Sequence, residues 1–275
     1  MHTFGPESMS WVDSHLKTCV AEHNNCICED SPLLPTRVLH IQPREGINGN
    51  LHVCLHQSLP NERGEYGCLS HCWGTEDLGH LCLSHRNITS FKTEIPWSDI
   101  PKTFQESIQL AHNLGLEYLW IDSLCIIQDD SQDWQTESGK MCFVYQNSYL
   151  TIAATSAPDG TGGLFHTTDV DHQGYELTIG DNNNSGSSSL YVRRSLPHRI
   201  FENARTMQHV EKQGYPLLTR GWALQERLCR TSAVYLVIPF CTLRKPGYIY
   251  PAMYPTFTQY KHLTASEQVS YCFRD

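Results

Sequence analysis

Asp122 closes the apolar run Leu116 to Ile121, and Ser123, Cys125, Gln128, Asp129 and Asp130 follow within eight residues. A carboxylate at the carboxyl end of a strand can serve acid–base work. Open α/β sheets bind ligands outside those strand ends. The same Asp can instead cap the next turn through its own side chain. A second carboxylate, Glu226, lies in TRGWALQERL, residues 219–228, with Trp222 and Gln225 beside it. Good helix formers surround it, and near a helix amino terminus a Glu stays ionised and suits the stabilisation of a cation. Pairing with Arg220 or Arg230, or simple satisfaction of the helix end, are the competing readings.

Two sets of metal-binding types occur. Cys19, His23 and Cys26 are spaced by four and three residues, on one face of a helix, and Cys28 follows closely. Thiolates and imidazole so spaced can hold zinc; the alternative is a helix packing its Cys face on the domain. The segments CLSHCWG and HLCLSH offer Cys68, His71, Cys72, His80, Cys82 and His85. On a strand Cys68 and Cys72 point one way and His71 the other, so these ligands do not converge. No nucleophile elbow, phosphate-cradling loop or dinucleotide glycine fingerprint is present, which disfavours the common nucleotide enzymes.

The elements that must position these groups are legible in part. Pro101 suits a first helical turn, and Thr103 with Glu106 has capping-box spacing. Phe104, Ile108, Ala111 and Leu114 recur at helical intervals up to Gly115, which supplies the stop. Leu116 to Ile121 then reads as a strand covered on both faces. A second helix is expected over Trp134 to Tyr145 and a strand over Leu150 to Ala154. Further strand-like runs cover Arg37 to Ile41, Leu51 to Leu55 and Tyr66 to Trp73. The turn DNNNSGSSS joins a hairpin of Tyr175 to Ile179 and Leu190 to Arg193. Alternating strands and helices mark a parallel α/β sheet.

The 275 residues suffice for a sizeable core, and 40% hydrophobic content argues against global disorder. With 20 basic and 29 acidic residues the formal charge is −9, and no basic cluster is present to bind nucleic acid. The amino terminus lacks the apolar core of a signal peptide, and no segment has the length of a membrane span. These features predict a soluble cytoplasmic protein whose twelve cysteines are mostly reduced thiols.

Three blocks taken together resemble a known family. YGCLSHCWG, then IPKTFQESIQLAHNLGLEYLWIDSLCIIQDDSQDW with MCFVYQNSYLTIAATSA, then RGWALQERL are similar, in order and spacing, to the heterokaryon incompatibility (HET) domain of filamentous fungi. The resemblance runs from about Leu34 through Leu228. It implies a Cys/His-rich leader over 1–33, the HET domain over 34–236 and a divergent tail over 237–275. His71 departs from the Tyr more usual there, and CRTSAVYL replaces the usual continuation after Leu228.

The resemblance implies non-self recognition leading to programmed cell death, through self-association or through another incompatibility or receptor protein. The family is also distantly similar to TIR domains. That implies a flavodoxin/TIR-like open parallel sheet flanked by helices, with an extra hairpin and irregular terminal extensions. By that similarity Glu226 would stabilise the charge formed as NAD, the substrate, is cleaved, with Asp122 and His71 completing the catalytic set. Ser70, Trp73, Cys125, Gln128, Arg220, Trp222 and Gln225 would contact the substrate. The alternatives are a non-catalytic self-associating module, or an enzyme of secondary metabolism using Asp122, His71 or Cys125 for acid–base or nucleophilic work.

Overall fold

The computed structural model describes residues 2–22, 31–44, 51–74, 81–167, 175–180, 187–192, 216–221, 223, 233–237, 240–245 and 248–251. Its elements are α1 (Pro6–Glu22), β1 (Arg37–Pro43), β2 (Leu51–Gln57), β3 (Tyr66–Ser70), α2 (Ile88–Phe91), α3 (Lys102–Asn113), β4 (Tyr118–Ile121), α4 (Asp122–Cys125) and α5 (Ser131–Asn147). There follow β5 (Leu150–Ala154), β6 (Tyr175–Gly180), β7 (Ser187–Val192), β8 (Ala233–Val237), β9 (Phe240–Lys245) and β10 (Tyr248–Pro251). One sheet of eight strands runs in the order β10-β9-β8-β5-β3-β4-β1-β2, and β6 pairs with β7 separately.

The expected α/β architecture is present, but the sheet is mixed rather than all parallel. β3 lies between β4 and β5 and is parallel to both, and β8 continues parallel beyond β5. The β1–β2 hairpin adds antiparallel to β4, and β9 and β10 add antiparallel at the other side. Burial follows from this placement. Every residue of β3 and β5 is buried, as two covered faces require, whereas β2 alternates buried Leu51, Val53 and Leu55 with half-buried His52, Cys54 and His56.

The two crossovers that flank β3 run in opposite directions along the sheet, so right-handed connections put α3 and α5 on opposite faces. Phe104, Ile108 and Ala111 form the buried stripe of α3. On α5, Met141, Val144 and Tyr145 are buried; Tyr66 donates its hydroxyl to the Val144 carbonyl at 2.8 Å, and Tyr145 donates to that of Leu69 at 3.2 Å. The helix is thereby tied along the central strand.

Local sequence signals were partly redirected by tertiary partners. α3 begins at Lys102 with no side-chain cap. Instead of a capping box, Thr103 donates to the Asp159 carbonyl and accepts from the Gly163 amide, while Glu106 accepts the amides of Leu164 and Phe165. Gly115 does stop the helix, at φ 82°. Leu116 is spent on that stop, its amide bonding the Ala111 carbonyl at 3.0 Å, so β4 starts only at Tyr118. α5 starts earlier than expected because the Asp130 side chain caps it, accepting from Gln132 and Asp133 amides.

Candidate functional site

β3 ends at Ser70, short of the expected Trp73, so His71 and Trp73 leave the sheet and turn over its carboxyl edge. There they meet Asp122, the first residue after β4. Trp73 Nε1 donates to Asp122 Oδ2 at 2.8 Å, and the Ser123 amide donates to Oδ1 at 2.8 Å. His71 Nδ1 lies 3.6 Å from Oδ1. The His71 side chain is only 3% exposed. Its ring lies nearly parallel to that of Trp73, centroids 6.4 Å apart, and edge-on to Phe104 at 4.8 Å. Asp122 thus accepts its neighbour's amide and anchors Trp73, while α4, which it opens, has no side-chain cap.

Arg220 approaches from the far end of the chain, after the 3-10 turn Pro216–Thr219, and its Nη1 donates to the His71 carbonyl at 3.1 Å. His71, Trp73, Asp122, Gln128 and Arg220 line a single cleft of about 170 Å³. Trp134, Ser138 and Met141 of α5 supply one wall, and Ile126, Leu217 and Ala223 complete the apolar lining. Trp134 and Met141 both fall in the helix expected over Trp134 to Tyr145. Their spacing with Ser138, four and three residues, is the signal of a shared face directly after the acid-rich loop.

That loop is held in place by an ion pair buried on its Arg37 side and half-buried at Asp133. Arg37 of β1 donates Nε to the Cys125 carbonyl at 2.7 Å and pairs with Asp133 at 2.5 Å, while Asp133 also accepts the Ile127 amide. Gln128 donates its side-chain amide to the carbonyls of Asp122 and Ile126, which holds it at the cleft edge.

Several expected site residues are placed elsewhere. Cys125 does not reach the cleft: it is buried, and burial pushes its thiol up to about 12, which removes it as a nucleophile or contact. Ser70, the last residue of β3, is 3% exposed and does not line the cleft. Asp129 accepts the His85 amide. Asp130 is held below the usual carboxylate range by the Asp133 amide, and His85 contacts it at 3.2 Å. Both acids therefore serve loop and helix closure. Trp222, Gln225 and Glu226 lie outside the described residues.

For zinc, Cys19 is in α1, but its side chain, like His23, Cys26 and Cys28, lies outside the described residues. Among those described, no group of three or more His, Cys, Asp or Glu is arranged to hold a metal ion. Cys142 of α5 is disulfide-bonded, whereas Cys54, Cys82 and Cys125 are free. No helix among the described residues is long and apolar enough to cross a membrane.

The span from β3 through the cleft-lining segment after Arg220 is also where the chain is similar to known proteins. The sequence model described as "Heterokaryon incompatibility protein (HET)" matches residues 66–226. A curated relative, "Heterokaryon incompatibility protein 6, OR allele" from Neurospora crassa, is 23% identical over 126 residues. That alignment takes in 44% of this chain but only 18% of the relative. No solved structure matches the chain. With the family's model covering more than half of its length, the chain belongs to the heterokaryon incompatibility (HET) family.

Proposed function

We propose that this chain acts in fungal heterokaryon incompatibility, in the cytoplasm, as a domain that cleaves NAD and so drives cell death. The observation that carries the reading is the convergence of His71, Trp73, Asp122 and Arg220 in one cleft at the carboxyl ends of adjacent parallel strands, where α/β folds place ligands. The order of the parallel strands, β4-β3-β5-β8, is 2-1-3-4 by chain position, which supports a flavodoxin- and TIR-like reading of the sheet.

In this reading the bond between the nicotinamide nitrogen and ribose C1′ breaks, its electron pair leaving with neutral nicotinamide. Glu226 stabilises the oxocarbenium charge on the ribose, and water then adds at C1′ and releases a proton. Trp73, pinned by Asp122, presents an aromatic face to the departing ring. Expression of the chain in a fungal host is expected to arrest growth and lower cellular NAD, and Glu226→Gln is expected to relieve both. Growth arrest that persists with NAD undiminished would favour a self-associating module.

One observation favours a second reading. The described walls enclose about 170 Å³, below the roughly 300 Å³ at which drug-sized ligands begin to fit. A small apolar substrate worked on by His71 and Asp122 fits that volume, and its signature would be turnover insensitive to Glu226→Gln.

A further inference from the structure

We propose that Arg220 is the anion-binding group of the cleft, and that the ligand it receives carries a phosphate beside a ring. This rests on the nucleotide reading above. Arg220 is firmly placed: its amide bonds the Leu217 carbonyl at 3.2 Å, and the Thr219 hydroxyl closes the same turn on the Pro216 carbonyl at 2.7 Å. Its guanidinium makes one side-chain hydrogen bond among the described residues, to the His71 carbonyl. A backbone carbonyl orients the fork without neutralising it.

The cleft does contain a carboxylate, yet the two charges do not pair. Asp122 lies beyond the 4.0 Å reach of an ion pair with Arg220, and its oxygens face the Trp73 indole, the Ser123 amide and His71. Among the described residues no Asp or Glu lies within that distance of Arg220. A guanidinium carries five donors in a planar fork suited to two oxygens of one anion. In a chain of formal charge −9, the cleft thus holds a cation with no carboxylate partner among the described residues. The indoles of Trp73 and Trp134 and the thioether of Met141 supply apolar surface for a ring alongside it. A ring and an oxyanion in one small ligand describe a nucleotide.

Equilibrium binding of ADP-ribose, nicotinamide riboside and inorganic pyrophosphate to the full chain tests this, with Arg220→Gln and Arg220→Lys variants whose thermal unfolding matches wild type. Arg220→Gln is expected to weaken ADP-ribose about 10- to 100-fold while leaving the phosphate-free riboside unchanged, with Arg220→Lys between the two. Equal losses for both ligands, or no loss for either, would overturn the assignment. If wild type binds pyrophosphate but neither nucleoside ligand, and Arg220→Gln abolishes that binding, the anion site stands and the nucleotide reading falls. A wild type that binds none of the phosphate-bearing probes would overturn the anion site itself.

Discussion

Both carboxylate oxygens of Asp122 are engaged by neighbouring groups. Its two oxygens accept from the Trp73 indole and the Ser123 amide, and His71 stands beside one of them. In the NAD-cleaving reading its proposed role is therefore to position Trp73 and His71. Replacing it with Asn keeps the shape but removes charge-assisted bonds, so Asp122→Asn is expected to destabilise by about 1.5–3 kcal/mol in urea unfolding. Trp73 fluorescence should shift with it, because the indole loses an ionised acceptor. The neighbouring Ser123 carries a buried hydroxyl with no hydrogen-bond partner among the described residues. Since leaving such a group unpaired costs about 1–3 kcal/mol, Ser123→Ala is expected to leave stability unchanged or raise it. A loss of stability in Ser123→Ala would show that the hydroxyl has a partner in solution. The carboxylate at a strand end was visible in WIDSLC, but the spatial partners of Asp122 come from residues about fifty positions earlier and lie beyond any local pattern.

The elements around the cleft depend on a few long-range polar contacts. Arg37 ties β1 to the last residue of α4 and to the first turn of α5, and its side chain is only 6% exposed. Breaking such a pair from one side leaves an uncompensated charge, so Arg37→Met is expected to cost about 3–5 kcal/mol, and pairing it with Asp133→Leu should recover part of the loss. Thr103 and Glu106 show why a capping box is an uncertain guide. Both types stand at the right spacing, yet the loop after β5, some sixty residues on, supplies better partners. Glu106→Gln should loosen that loop, seen as faster amide exchange at Phe165. The outer face of the hairpin carries a pH dependence. Burial, then the nearby His56, holds His40 below its ordinary 6.5. The unfolded chain takes up that proton first as pH falls, so stability is present above about pH 6.5 and declines below it. Thermal unfolding between pH 7.5 and 5.5 should show the decline, and His40→Gln should make it shallower.

Across the chain, the parallel centre of the sheet was the most legible part. Tyr66–Ser70, Tyr118–Ile121 and Leu150–Ala154 are short apolar runs separated by helical spacing, and continuous burial leaves such runs few alternatives. The antiparallel additions were less so, because half-buried strands such as β2 fit either direction equally well. Trp134 illustrates the harder case: its side of α5 faces a cleft rather than the core, and periodicity does not distinguish the two. The HET assignment places the chain in a family, while the chemistry rests on the cleft at the strand ends. The most direct test is to incubate the purified chain with NAD over a wide concentration range and follow nicotinamide release, alongside Glu226→Gln and Asp122→Asn. The account predicts release that Glu226→Gln abolishes without altering thermal unfolding, and that Asp122→Asn reduces. No release at any concentration, or a Glu226→Gln protein as fast as wild type, would contradict it.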